Sequence, residues 1–201
     1  MLILRSSPPS PFGRKVRIAA ALAGLSDRIR VENADTMNPN EALRRQNPLG
    51  KIPTLVLDNG EALYDSRVIV EFFDAFAGGG RLIPAGWDRF EALRLQALAD
   101  GMLDAAILRV YEARWRSEER HEPKWLDYQS EKIDRALTFA EATYATPPAR
   151  HHIGHVALAC ALGYLDLRFE GRWREGHPGL VAWLADFEAR VPAFGETRFT
   201  P

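Results

Sequence analysis

The feature that most constrains the fold of this sequence is a change of pattern near residue 78. The first 77 residues alternate short apolar runs with amphipathic segments in the order β-α-β-α-β-β-α. Beyond the glycine-rich stretch 78–80, every long segment has the roughly 3.6-residue spacing of a helix. We therefore expect a small α/β domain at 1–77, a linker at 78–84 and an all-helical domain at 85–201.

Three local signals define elements of the first part. Asn59-Gly60 lies between two apolar runs and is the sequence that type I′ hairpin turns prefer, so two antiparallel strands are expected around it. Ser10 and the Asp65-Ser66 pair each directly precede a helical pattern, which makes them candidate N-caps. Gly24 follows the first helical pattern and is a typical helix stop.

Composition excludes several classes of function. The 26 basic and 27 acidic residues nearly cancel, which argues against a nucleic-acid or anionic membrane partner. No stretch approaches the roughly 20 apolar residues of a membrane span, and we recognise no signal peptide. Cys160 is the only cysteine, which excludes an internal disulfide and is typical of a cytoplasmic protein. With one cysteine and scattered histidines, no metal site is expected.

Ser10 has two interpretations. It caps the helix that begins at Pro11, or its hydroxyl donates a hydrogen bond to a bound thiolate with help from the helix dipole. A free thiol has a pKa of about 8.5, so lowering it by ~2 units requires ~2.7 kcal/mol of preference for the anion. One charge-assisted hydrogen bond together with a helix dipole supplies that amount.

The Ile52-Pro53 pair and the Asp65-Ser66 pair each allow two interpretations, one purely structural and one in which the pair binds a ligand. Pro53 either begins a strand as an ordinary loop proline, or follows a cis bond that turns the Ile52 backbone toward a peptide-like ligand. Asp65-Ser66 either only caps the next helix, or also holds a ligand carboxylate at the helix N-terminus.

Over nearly its whole length the chain resembles the cytosolic glutathione S-transferases. The segment "NPLGKIPTLVLDNGEALYDSRVIVEFFD" is similar to the glutathione-binding segment of that family. The segments "ALADGMLDAA" and "ALACALGYLDLRF" resemble its all-helical domain. The resemblance implies a thioredoxin-like α/β domain followed by a helical bundle. It also implies a cytoplasmic homodimer that uses glutathione as co-substrate and needs no metal.

The resemblance also implies roles for individual residues. Ser10 stabilises the glutathione thiolate, and the Ile52 backbone before Pro53 pairs with the cysteinyl part of the tripeptide. Lys51 reaches the glycine carboxylate, and Phe12 contributes to the same site.

At the other end of glutathione, Asp65 and Ser66 hold the γ-glutamyl amine and carboxylate by the same resemblance. Asp100 matches an acidic residue that in several classes reaches the γ-glutamyl amine across the dimer. A solvated helical aspartate is the alternative interpretation of Asp100.

The catalytic subtype within this family is indicated by two residue types that are missing near the first strand. The first tyrosine is Tyr64, so no tyrosine follows the first strand, and no cysteine lies near Ser10. The chain is therefore similar to the serine-type members, such as the theta and zeta classes and many bacterial proteins. The implied function is transfer of glutathione to a small electrophile. Glutathione-dependent isomerisation, disulfide reduction and a non-catalytic binding or regulatory role remain as alternatives.

The electrophile is expected between the domains. Candidates are Phe12 and, along one face of the first long helix, Leu103, Ile107, Tyr111, Arg114 and Trp115, of which we favour Tyr111 and Trp115. Such a face is more often ordinary core. Arg114 either binds an anionic substrate or is simply exposed.

One stretch departs from the family pattern. Near the start of the buried helix, His152 and His155 occupy the positions of the usual capping-box residues. Cationic imidazoles at a helix N-terminus oppose the dipole, so we expect a weak cap and a gain in stability from His155→Asp.

Overall fold

A mixed four-stranded sheet forms the centre of the first domain. The computed structural model of the chain describes residues 1–200. The strands are β1 (Leu2–Ser6), β2 (Ile29–Asn33), β3 (Thr54–Val56) and β4 (Ala62–Leu63). Their order in the sheet is β2-β1-β3-β4, with β1 parallel to β2 and the other neighbours antiparallel. This confirms the thioredoxin-like sheet.

Three helices belong to this domain: α1 (Pro11–Ala23), α2 (Leu43–Gln46) and α3 (Ser66–Phe76). Helix α1 begins behind the Ser10 cap and ends at Gly24, whose φ of 73° lies in the left-handed region that glycine tolerates best. Helices α1 and α3 pack against each other, and α1 also contacts the second domain. The Ser10 cap, the Asp65 cap of α3 and the stop at Gly24 were all predicted from the sequence.

The hairpin turn differs from the predicted type I′ turn. A type I′ turn needs positive φ at both central residues, and Gly60 has a φ of 87° whereas Asn59 does not lie in the left-handed region. The Gly60 N–H donates to the Leu57 carbonyl at 2.9 Å, and the Leu57 N–H donates to Glu61 at 2.8 Å. The loop therefore has three residues and ends on a left-handed glycine, because the Asn59 side chain instead accepts a hydrogen bond from the Glu61 N–H at 3.0 Å.

The second domain is all-helical, as predicted. Its helices are α4 (Asp88–Trp115), α5 (Pro123–Tyr144), α6 (Ile153–Phe169), α7 (Pro178–Arg190) and α8 (Pro192–Glu196). Helix α6 is the buried centre and packs along α4, where a Cβ at Gly154 would lie 2.6 Å from the Ala92 carbonyl oxygen. None of the helices described is both long and apolar enough to cross a bilayer.

The segment between α3 and α4 is tied to both domains. The Asp74 carboxylate accepts backbone N–H bonds from Gly80, Arg81 and Leu82 at 3.0, 2.8 and 2.6 Å. The Leu82 carbonyl in turn accepts the N–H of Ile153, the first residue of α6, at 2.8 Å. The residues predicted as a linker are therefore packed and hydrogen-bonded along part of their length.

The histidine cap at α6 is formed, which corrects the expectation of a weak cationic cap. The Gly154 N–H donates to His152 Nδ1, and the His152 N–H donates to His155 Nδ1, both at 3.1 Å. Burial lowers the pKa of His152 to about 4 and that of His155 to about 3. The rings are therefore neutral near pH 7, and a neutral imidazole nitrogen accepts a hydrogen bond without opposing the helix dipole.

Candidate functional site

Three chain segments converge at one end of the sheet. Because β1 and β3 are antiparallel, with Arg5 opposite Thr54, the loop that follows β1 lies beside the start of β3. Because β3 and β4 are also antiparallel, the residues that follow β4 lie at the same end. The topology thus brings together Ser10, Ile52-Pro53 and Asp65-Ser66, the three predicted site segments.

Ser10 is the N-cap of α1 and is half-buried. Its Oγ accepts the Gly13 N–H at 3.1 Å, which confirms the capping interpretation. Accepting that bond leaves the hydroxyl hydrogen of Ser10 free to donate to a ligand. The cap and the donor role are therefore compatible. The positive end of the α1 dipole favours an anionic acceptor at this position.

The Ile52-Pro53 peptide bond is cis, and Ile52 lies just outside the ladder that begins at Thr54. Asn47, which is buried, supports this loop. Its Nδ2 donates to the Lys51 carbonyl at 3.0 Å and to Thr54 Oγ1 at 3.2 Å, while Thr54 Oγ1 donates to the same carbonyl at 3.0 Å. The Lys51 side chain is exposed. Sequence reasoning missed the supporting role of Asn47, because its partners depend on how the loop folds back.

Asp65 and Ser66 begin α3. Asp65 is the N-cap, and its Oδ1 accepts the Arg67 N–H at 2.9 Å. Ser66 is buried as the first helical residue. Unpaired N–H groups of a first helical turn, together with the dipole, make this position suitable for a carboxylate.

Asp100 is buried and is held by cations of its own chain. Lys15 Nζ lies 2.7 and 2.9 Å from its two carboxylate oxygens, and Arg67 Nε donates to Oδ2 at 2.9 Å. The solvated-aspartate alternative is therefore wrong, since Asp100 is 1% exposed. A contact with the γ-glutamyl amine across a dimer stays a prediction, and it would compete with these two cations.

Lys15 is the residue of this network that sequence reasoning missed. It lies on α1 with no exposed side-chain surface, and its Nζ is 5.4 Å from the centroid of the half-buried Phe12 ring. The signal was present, because position 15 falls on the same helical stripe as the buried Ala19 and the half-buried Leu22. A lysine in an apolar stripe requires a buried partner.

A cavity of about 350 Å³ borders Ser10 on the side of the second domain. Arg14 of α1 lies in its wall, with its guanidinium 3.9 Å over the Phe194 ring and Nη2 donating to the Phe194 carbonyl at 2.5 Å. Tyr164 and Cys160 of α6 also line it, and burial raises the pKa of the Cys160 thiol to about 12. A cavity beside a hydroxyl donor is a suitable place for a second substrate.

The three residues predicted for the electrophile lie near the C-terminal end of α4. Tyr111, Arg114 and Trp115 are all exposed, and none of them lines the cavity beside Ser10. Tyr111 and Trp115 border a shallow groove between the end of α4 and the start of α5.

The first domain matches a known family. Residues 9–75 match the model of the glutathione S-transferase N-terminal domain. A GST-like protein of Escherichia coli K12, YibF, described as uncharacterized, is 31% identical over 194 residues. That alignment covers 93% of this chain and 94% of the relative.

Solved structures extend the match to the whole chain. A glutathione transferase family member from Pseudomonas fluorescens Pf-5, crystallised with bound glutathione, is 42% identical with a TM-score of 0.93. A glutathione S-transferase from Methylobacillus flagellatus KT, also with glutathione bound, is 34% identical with a TM-score of 0.89. Both comparisons cover 100% of this chain and 100% of the other.

Proposed function

The chain belongs to the glutathione S-transferase family, and on that premise we propose that it binds glutathione and transfers it to a small electrophile. The observation that carries the proposal is the geometry of Ser10. Its Oγ accepts the Gly13 N–H, so its hydroxyl hydrogen and the α1 dipole both remain available to a thiolate. The enzyme is accordingly a serine-type transferase.

Glutathione would lie along the end of the sheet where the three site segments meet. The α3 N-terminus at Asp65 and Ser66 binds the γ-glutamyl group, and the Ile52 backbone pairs with the cysteinyl unit. Lys51 reaches the glycine carboxylate. The bound glutathione in relatives of 42% and 34% identity supports this assignment.

The chemical step needs no protein nucleophile. The thiol proton leaves to solvent, the thiolate sulfur forms a bond to the electrophilic carbon, and the leaving group departs with its electron pair. The protein contributes thiolate stabilisation and positioning. Cys160 is unsuited to a thiol mechanism, because it is buried and its pKa is raised to about 12.

We further propose that the protein is a homodimer in the cytoplasm. Trp87 and Phe90 at the start of α4 are 78% and 59% exposed, with ring centroids 5.4 Å apart. An exposed aromatic pair of this kind is typical of an interface. Sedimentation velocity across a concentration series measures the oligomeric state, and a monomer at every concentration would contradict this part of the proposal.

Calorimetry with reduced glutathione is the primary test. We expect binding at millimolar concentration or tighter, followed by turnover in a panel that contains an aryl halide, a hydroperoxide, a mixed disulfide and an enedione. Binding without turnover of any of these would indicate a non-catalytic binding protein. Absence of binding at millimolar glutathione would overturn the proposal.

A further inference from the structure

Arg14 lies in the wall of the cavity that is also lined by Ser10. The two residues share a turn of α1, and the Arg14 N–H donates to the Ser10 carbonyl at 2.9 Å. Because four residues of helix rise about 6 Å, the two side chains start about one turn apart. A substrate that occupies this cavity beside a sulfur held at Ser10 therefore also meets Arg14.

The Arg14 guanidinium is fixed by the C-terminal segment but is not neutralised by it. Its Cζ lies 3.9 Å from the Phe194 ring centroid, and Nη2 donates to the Phe194 carbonyl at 2.5 Å. Nε donates to Thr197 Oγ1 at 3.3 Å. Within residues 1–200 no carboxylate lies within 4.0 Å of Arg14, and its Nη1 has no hydrogen-bond partner. A ring and two neutral acceptors thus orient this cation and leave its charge in place.

The cavity carries one positive charge in excess. The charged residues in its wall are Arg14, Asp166, Arg174, Glu188 and Arg198. Arg174 pairs with Asp166 at 2.7 Å and Arg198 pairs with Glu188 at 2.6 Å, so both carboxylates are already engaged. Burial lowers the pKa of Arg14, but an arginine remains charged near pH 7. A partly buried charge without a counter-charge is costly, and a bound anion would offset that cost.

Gly163 provides the space for the unpartnered nitrogen of Arg14. It lies inside α6 and lines the same cavity, and a Cβ at this position would be 2.6 Å from Arg14 Nη1. Glycine in a helix interior is destabilising relative to alanine. The glycine therefore costs helix stability and allows a guanidinium N–H group to lie in the cavity wall.

Apolar and aromatic side chains form much of the rest of the wall. Leu167 and Leu184 line the cavity from α6 and α7, and Tyr164, Phe194 and Phe199 add rings. The volume of about 350 Å³ lies at the lower end of the range typical of small-molecule sites. Such a cavity is suited to a small group with an apolar body and an anionic end.

We propose that the second substrate carries a carboxylate and that Arg14 Nη1 binds it in the cavity beside Ser10, which makes Arg14 a specificity-determining residue. A guanidinium binds a carboxylate through charge-assisted hydrogen bonds. The inference rests on the proposed function, since it concerns the second substrate of the same site. With 4-(chloromethyl)benzoate, for example, the sulfur–carbon bond forms, the carbon–chlorine bond breaks, chloride leaves with the electron pair, and the carboxylate is unchanged.

Two glutathione conjugates of nearly equal shape test this without requiring turnover. S-(4-carboxybenzyl)glutathione carries an anion on its ring, and S-(4-carbamoylbenzyl)glutathione is the corresponding neutral amide. Calorimetry gives the dissociation constant of each. We expect the natural protein to bind the carboxylate conjugate about tenfold more tightly, because a hydrogen bond to a charged group contributes more than one between neutral groups.

Three variants locate the source of this preference. Arg14→Met removes the charge and should bring the two dissociation constants to within about twofold of each other. Arg14→Lys keeps a charge and should retain part of the preference. Gly163→Ala leaves Arg14 in the chain but displaces its Nη1, and it should also reduce the preference. This third variant decides the matter if Arg14→Met does not fold.

The double variant Arg198→Met/Glu188→Gln is the matched control. It removes a cation from the wall of the same cavity together with the carboxylate that neutralises it, so the net charge of the cavity does not change. The preference for the carboxylate conjugate should therefore persist. Loss of the preference in this control as well would overturn the specific role of Arg14.

The outcomes distinguish this inference from the proposed function. If neither glutathione nor a conjugate binds, the proposed function fails and the inference fails with it. If glutathione binds but the natural protein binds neither conjugate, or binds both equally well, only the inference is wrong. If Arg14→Met weakens both conjugates by the same factor and keeps the preference, Arg14 only anchors the C-terminal segment, and the inference is overturned.

Discussion

Lys15 and Asp100 form a buried ion pair that joins the first helix of the sheet domain to the first helix of the helical domain. Lys15 Nζ lies 2.7 and 2.9 Å from the two Asp100 oxygens, and their side chains are 0% and 2% exposed. Arg67, at the start of α3, donates to the same carboxylate at 2.9 Å. One carboxylate therefore holds α1, α3 and α4 together beside the candidate site.

Asp100→Asn should lower the free energy of unfolding by about 3 kcal/mol, because it leaves the Lys15 charge buried without a counter-charge. Urea denaturation at pH 7 measures this. Glu131→Gln is the matched control, since the Glu131–Arg135 pair is 64% exposed on both sides and should be worth less than about 1 kcal/mol. Equal effects of the two substitutions would contradict a structural role of the buried pair.

Gly154→Ala should lower the free energy of unfolding by about 1 to 3 kcal/mol. The added methyl group would lie 2.6 Å from the Ala92 carbonyl oxygen and 2.7 Å from Leu95 Cβ, so α6 must move away from α4. Gly101→Ala is the control, because Gly101 is an exposed position within α4 with nothing within 4 Å of the new atom. It should stabilise the helix by about 0.5 to 1 kcal/mol. Thermal melts of both variants would refute the close helix contact if they shifted in the same direction.

The histidine cap predicts loss of stability in acid. Both folded-state pKa values, about 4 for His152 and about 3 for His155, lie below the ordinary value of 6.5. Between these values the unfolded chain binds more protons, so the free energy of unfolding falls as the pH drops from 6.5 toward 3. Urea denaturation at a series of pH values measures this slope.

His152→Asn isolates the contribution of one ring. Asparagine is a strong N-cap and does not titrate, so stability near pH 7 should change by less than about 1 kcal/mol while the acid slope becomes shallower. His121→Asn makes the same chemical change away from this cap and serves as the matched control. The cap would not be the source of the pH dependence if both variants kept the natural slope.

Two substitutions at Ser10 separate its two roles. Ser10→Asp keeps an N-cap acceptor for the Gly13 N–H but removes the hydroxyl donor and adds a negative charge. We expect nearly unchanged stability, a higher pKa for the bound glutathione thiol and a fall in turnover of about 100-fold. Ser10→Thr keeps both roles and should retain most of the activity. Ultraviolet titration of the thiolate and initial rates test this, and full activity of Ser10→Asp would exclude the donor role.

The parts of the site that the sequence predicts are those fixed by local chain geometry. Ser10, Asp65 and Gly24 terminate helices, and such signals depend only on the neighbouring residues. The type of the hairpin turn at Asn59 was predicted incorrectly, although a turn also depends mainly on neighbouring residues. There the side chain of Asn59 accepts the Glu61 N–H, and this bond favours a longer loop over the type I′ turn.

Other features depend on contacts between distant segments, which a single sequence does not specify. Asp100 was named as a candidate site residue from the resemblance, but its ion pair with Lys15 was not predicted. Lys15 lies 85 positions away and contacts Asp100 only when the two domains pack. The neutrality of His155 follows from burial, which is set by the tertiary packing of α6. Tyr164 was not predicted as a site residue, because it is one residue of an almost wholly apolar helix.

The hydrogen bonds of Asp74 have a mechanical consequence. Three successive N–H groups of the connecting segment converge on one carboxylate, and the Leu82 carbonyl is anchored to the first residue of α6. A connecting segment that is hydrogen-bonded to both domains does not act as a hinge. We therefore expect the two domains to tumble as one rigid body. Arg198 and Phe199 of the C-terminal segment border the cavity beside Ser10, so this cavity should keep its shape when the domains move together. Residual dipolar couplings of the two domains should accordingly fit a single alignment tensor.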